Sequence, residues 1–159
     1  MRFRYWSALL LLSLSVLFTS MVSAAPAETD VKLTGVRWSR TADAVTGLIK
    51  VRLILETNSP VEVDQFLTSM PNWRLVVSLS GVGGDNIKIP PSPDASVVTK
   101  MSVVKSPKNM THIVVDFPGA IKQDQYSVTT VQSDPRTKRP FQVIIEMQKT
   151  VRPSELKFL

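Results

Sequence analysis

The sequence contains no cysteine. No disulfide can staple the chain, so its fold must be held by packing alone. It contains one histidine, His112. A zinc site needs several His, Cys or carboxylate ligands at defined spacing, and no such spacing is present. A Ser–His–Asp triad would have to use His112, and no Gly-x-Ser-x-Gly elbow accompanies it. His112 falls inside a strand pattern, opposite its apolar face, which suits a solvated or hydrogen-bonded strand histidine. Gly81-Val82-Gly83-Gly84-Asp85 lacks the Lys-Ser/Thr and the helix that a phosphate loop requires. Carboxylates exist, but none sits in a setting that marks paired-acid hydrolysis. Helical patterning is also missing. No stretch sustains apolar spacing at 3.6 residues, and at most one helical turn is expected, around residues 64–69.

Long apolar runs are absent except at the start. Arg2 and Arg4 precede an apolar stretch from Trp6 to Phe18, and Val22-Ser23-Ala24 supplies small residues for cleavage before Ala25. This is the pattern of a secretory signal peptide, residues 1–24. The apolar run falls short of the roughly 20 residues that a spanning helix needs. No later stretch is apolar for long enough to cross a bilayer, and no cysteine follows the signal to carry a lipid. Residues 25–159 are enough for one domain with a real core and too few for two. Losing Arg2 and Arg4 with the signal lowers the formal net charge from +6 to +4. A mildly basic domain suits an anionic partner, and is also ordinary for a soluble one.

What the sequence does contain is strand pattern, written twice. Ile49, Val51, Leu53 and Leu55 alternate with Lys50, Arg52, Ile54 and Glu56. Val61 and Val63 begin a short strand, and Trp73, Leu75, Val77 and Leu79 make the next inward series. Before them, Val36 and Trp38 belong to a basic and aromatic strand whose phase slips at Gly35, as at a β-bulge. The same order recurs after a Gly- and Pro-rich seam at residues 81–93. Ile113, Val115 and Phe117 form one face, Tyr126 and Val128 follow, and Phe141, Val143, Ile145 and Met147 close the series. Short strands punctuated by Gly and Pro predict an all-β sandwich. The repetition predicts two similar halves, assembled as two small sheets packed face to face. The inward residues of both halves are expected to share one core.

The remaining signal is a set of cations and aromatics. Arg37, Arg52 and Arg74 fall one each on three strands, each out of phase with the inward apolar residues. Trp38 and Trp73 neighbour two of them. If those strands pair, the arginines line one sheet face and can grip carboxylates or phosphates with bidentate geometry. The competing reading is a solvated face whose arginine stems cover apolar surface. Each tryptophan is either core or ligand platform.

Several segments together resemble the AMIN domain family. They are Val51-Arg52-Leu53-Ile54-Leu55, Ser59-Pro60-Val61, Phe66, and Pro71 followed by Arg74-Leu75-Val76-Val77 and Leu79. Thr111-His112-Ile113-Val114-Val115-Asp116-Phe117-Pro118-Gly119-Ala120 echoes them in the second half. The resemblance runs from about Val31 to Gln148. It departs from the family pattern where Ser78 replaces an Asp, where Trp73 is inserted before Arg74, where Asn72 follows Pro71, and where His112 replaces an Arg. These departures bear on the ligand-contacting surface rather than on the fold. The resemblance implies a sandwich of two symmetric three-stranded sheets. It also implies a non-catalytic module that directs its host to peptidoglycan or to an envelope complex, in the periplasm or at the cell wall. Ligand contacts are expected at Arg37, Trp38, Arg52 and Arg74. No cofactor, nucleic acid or post-cleavage membrane contact is expected. One alternative is a protein–protein adaptor that docks an envelope machine by strand addition, and another is a small hydrolase using two carboxylates.

Overall fold

A computed structural model describes residues 31–83, 89–107 and 109–152. The expected signal peptide lies outside the described residues. Nine strands follow in order: β1 Val31–Ala42, β2 Leu48–Thr57, β3 Val63–Thr68, β4 Arg74–Ser80, β5 Val82–Gly83, β6 Lys100–Ser106, β7 Met110–Asp116, β8 Tyr126–Val131 and β9 Phe141–Thr150. The one helical element among the described residues is a 3-10 turn, Gln123–Gln125. The helical turn expected at residues 64–69 is instead β3. Its residues pair with β4 from Val63–Leu79 to Thr68–Arg74, and that ladder outweighs any local turn preference.

Two sheets pack together. One has the order β5-β1-β2-β9-β8 and the other β3-β4-β7-β6. The expected three strands per sheet are therefore five and four. The reason is that each half of the chain sends one hairpin to each sheet. Hairpins β1–β2 and β8–β9 make the larger sheet, and β3–β4 and β6–β7 the smaller, with β5 added parallel to the start of β1. Replacing each first-half strand by its second-half counterpart turns β1-β2-β9-β8 into β6-β7-β4-β3. That is the observed order of the other sheet, read backwards.

The alternation read from the sequence sets the faces. Ile49, Val51, Leu53, Leu55, Leu75, Val77, Ile113, Val115, Val143 and Ile145 are all fully buried in one core cluster. They come from the central strands β2, β9, β4 and β7, where burial on the inner face is most complete. Period-2 patterning fixes this register, because a one-residue slip would turn every inner side chain outward. Gly35 marks the bulge in β1, where the register with β2 shifts between Leu33 and Gly35. A Cβ there would stand 2.8 Å from a carboxylate oxygen of Glu56. Gly47 and Gly81 take positive φ, 71° and 72°, at the β1–β2 turn and after β4.

Candidate ligand-binding faces

Pairing register places each charged side chain. In β2, Lys50, Arg52, Ile54 and Glu56 point away from the core. Arg37 stands opposite Ile54 and Ser39 opposite Arg52, so Arg37 shares that outer face. On the other side, Arg52 stands opposite Glu146 and Glu56 opposite Gln142. The outer face of the five-stranded sheet thus carries Arg37, Lys50 and Arg52 with Glu56 and Glu146.

These charges form two cross-strand clusters. Arg52 Nε donates to Glu146 Oε2 at 2.5 Å, and Lys50 Nζ reaches Oε1 of the same carboxylate at 3.4 Å. The hydrogen bond from Arg52 holds the Glu146 carboxyl below its ordinary value, against partial burial, with the Arg52 and Lys50 charges helping. Arg37 Nη2 lies 3.0 Å from Glu56 Oε1, which also accepts from Gln142 Nε2 at 2.9 Å. The arginine side chains stay 58% and 53% exposed, for Arg37 and Arg52, against 22–23% for their carboxylate partners. The acids are sunk into the face and the guanidiniums stand over them. Three cations over two carboxylates leave the face cationic. A guanidinium has five donors, so each arginine can still meet a further carboxylate.

Arg74 is elsewhere. It lies in β4, which pairs with β3 and β7 and not with β1 or β2. The three arginines therefore do not share one face, because each half's strands are divided between sheets. Arg74 sits on the outer face of the four-stranded sheet and pairs with Asp116, its register partner on β7. Beside it runs an apolar stripe of Phe66, Val76 and Val114, with Phe66 53% exposed. The next row holds Ser78 and His112, whose Oγ and Nδ1 are 2.9 Å apart. The row runs Asp64, Ser78, His112, Val104, so the carboxylate stands beyond the serine and not beyond the imidazole, where a triad needs it. His112 is the hydrogen-bonded strand histidine that the pattern implied.

Trp38 is also separated from the arginines. It stands opposite Leu53 and so on the inner face, half-buried against the core, with its indole N–H donating to the Pro90 carbonyl at 2.9 Å. Trp73 packs against the core too. Arg40 follows Trp38 on the same inner series and is bound through Nε to the buried carboxylate of Asp94 at 2.8 Å. The sequence singled out none of Lys50, Glu146, Arg40 and Asp94 as a site residue. Lys50 carried a signal, since it alternates in phase with Arg52. The acids needed strand pairing to be placed.

Among the described residues, no group of three or more His, Asp or Glu side chains is gathered as a metal would require. No helix among them is long and apolar enough to cross a membrane. A family model of the AMIN domain matches residues 35–140. No curated protein matches the chain.

Proposed function

Because the chain belongs to the AMIN domain family, we propose that it is a non-catalytic module that grips peptidoglycan in the bacterial cell envelope. AMIN domains are envelope-targeting modules of amidases and secretins. The observation that carries the reading is the reach of the match, which spans both sheets from within β1 to the loop before β9. The signal-like pattern in residues 1–24 supports export, and so a periplasmic or wall-associated position. Stem-peptide carboxylates are the anionic ligands, and Arg37 and Arg52 meet them on the five-stranded face. Arg74 provides a second contact on the opposite face, independent of the first. Trp38 acts from below, by anchoring β1 to the 89–94 segment.

Co-sedimentation with purified sacculi tests the reading. Wild-type protein is expected to sediment, and less so as salt rises, because exposed charges are screened over roughly 10 Å at 0.1 M. Replacing Arg37 and Arg52 together by Gln removes most of the sedimentation. Exposed pairs of this kind contribute about 0–1 kcal/mol, so the fold survives. A folded double variant that sediments like wild type rejects the arginine face.

A second reading is favoured by β8. This edge strand, Tyr-Ser-Val-Thr-Thr-Val, has no charge, Pro or Gly. The edge strands β3 and β6 carry Asp64, and Lys100 with Lys105, of the kind that blunts an edge. An extended segment of a partner protein can add to β8. Wild type that ignores sacculi but captures an envelope protein, with capture lost on Thr129→Lys, selects this adaptor instead.

A further inference from the structure

The loop at Ser96 and Val97, the segment after β7, and the last residues of β9 enclose a cavity of about 270 Å³. Its floor is apolar, formed by the buried side chains of Val97, Phe117 and Ile121. Its lining also includes Ser96, Gln125, Gln148, Lys149 and Thr150. Gln125 Oε1 accepts from the Lys122 N–H at 2.8 Å, and Gln148 Nε2 donates to the Asp124 carbonyl at 2.9 Å.

Lys149 is the unusual member. The inner series of β9 runs Phe141, Val143, Ile145, Met147, and the next member is Lys149, opposite the buried Ile49. A cation on a core-facing position breaks the local pattern, and such breaks collect at functional sites. Arg37, Arg40, Lys50, Arg52 and Arg74 each sit on a carboxylate. Lys149 instead donates to a neutral group, the Ser96 carbonyl, at 3.1 Å. An ammonium has three N–H donors, so donors remain at the cavity mouth.

A small apolar floor beside a cation not neutralised by an acid fits a carboxylate carrying a short apolar group. The volume lies just under the roughly 300 Å³ at which drug-sized pockets begin, so the occupant is small. We propose that this cavity takes the free C-terminal residue of a short peptide. Its carboxylate lies on Lys149 Nζ, and its small side chain lies against Val97, Phe117 and Ile121. The inference rests on the envelope reading for the source of that peptide, a wall stem peptide, but not for the site itself.

The test is a chemical-shift titration of the purified protein with acetyl-D-Ala-D-Ala, its C-terminal amide and acetyl-L-Ala-L-Ala. The acid is expected to perturb Val97, Ala120, Ile121 and Lys149, and the amide to bind about tenfold or more weaker, as a lost charge-assisted hydrogen bond implies. Lys149→Gln should weaken the acid to the level of the amide, and Lys149→Arg should restore it. Lys149 also holds the Ser96 loop, but the acid-against-amide comparison on wild type decides even if the Gln variant loosens. Equal shifts from acid and amide, or none in the cavity, overturn the proposal. Preference for the D over the L peptide assigns the source to the wall, and the reverse to a protein C-terminus. Sacculus binding without dipeptide binding sinks the cavity and spares the envelope reading. Dipeptide binding without sacculus binding does the opposite.

Discussion

Asp94 is the buried carboxylate among the described residues, 5% exposed in a loop just after Pro90, Pro91 and Pro93. Burial raises its pKa, but hydrogen bonds from Ser96 and Arg40 and the Arg40 charge outweigh that, and the net shift is downward. A depressed folded value means the stabilisation is present above the unfolded value, near 3.9, and is lost as pH falls through the lower folded value. Glu146 has the same sign, from Arg52 first. Stability is therefore expected to hold from neutral pH to about 4 and to fall below it. Asp94→Asn should destabilise at pH 7 by roughly 2 kcal/mol, since it leaves the half-buried Arg40 without a counter-charge. It should also flatten the acid limb. Urea melts at several pH values check this, and an unchanged acid limb in the variant would show that Asp94 is not the titrating group. Neither member of this pair was read from the sequence. Arg40 carried a signal, since it follows Val36 and Trp38 on an inner series, a place where a cation needs a partner. Asp94 carried none, because a loop residue has no period to read.

At the level of the strand, alternation carried nearly all the information. It placed ten core residues and the Gly35 irregularity, because side-chain direction in a strand depends only on local backbone geometry. It did not say which strands pair, since pairing is a contact between distant segments. That is why Arg74 was grouped with Arg37 and Arg52 and lies on the other sheet. The Gly35 site shows how the bulge serves the outer face. Its missing side chain leaves room for the Glu56 carboxylate, which is bonded by Arg37 and Gln142. Gly35→Ala is expected to displace that carboxylate and cost about 1 kcal/mol, the scale of the hydrogen bonds lost. The backbone itself has no positive φ to oppose alanine there. Pairing the change with Glu56→Ala in a double-mutant cycle isolates the clash. If Gly35→Ala costs as much in the Glu56→Ala background, the crowding is not the cause.

In the whole molecule, the exchange of hairpins between halves decides how the protein is stabilised. The central pairs are β2 with β9 and β4 with β7, so both join one half to the other. Within a half, β1 pairs with β2 and β3 with β4, and the two hairpins lie in different sheets. An isolated first half, residues 31–83, would keep two hairpins and lose the central partner of each. Its inner residues Val51, Leu53, Leu75 and Val77 would face hairpins too narrow to cover them. Two-stranded hairpins are marginal in water, whereas three or more strands with a buried face are stable. The isolated half is therefore expected to be unfolded as a monomer, with no cooperative urea transition. Because the two sheets have matching strand orders, a second copy can supply the missing hairpins. Any folded state should then appear only with rising protein concentration, as a dimer in which each copy stands in for the absent half. Sedimentation equilibrium combined with circular dichroism reads both quantities in one sample. A half-chain that is monomeric and melts cooperatively would show that β2 and β4 do not depend on β9 and β7, and the interlocked account of stability would fall.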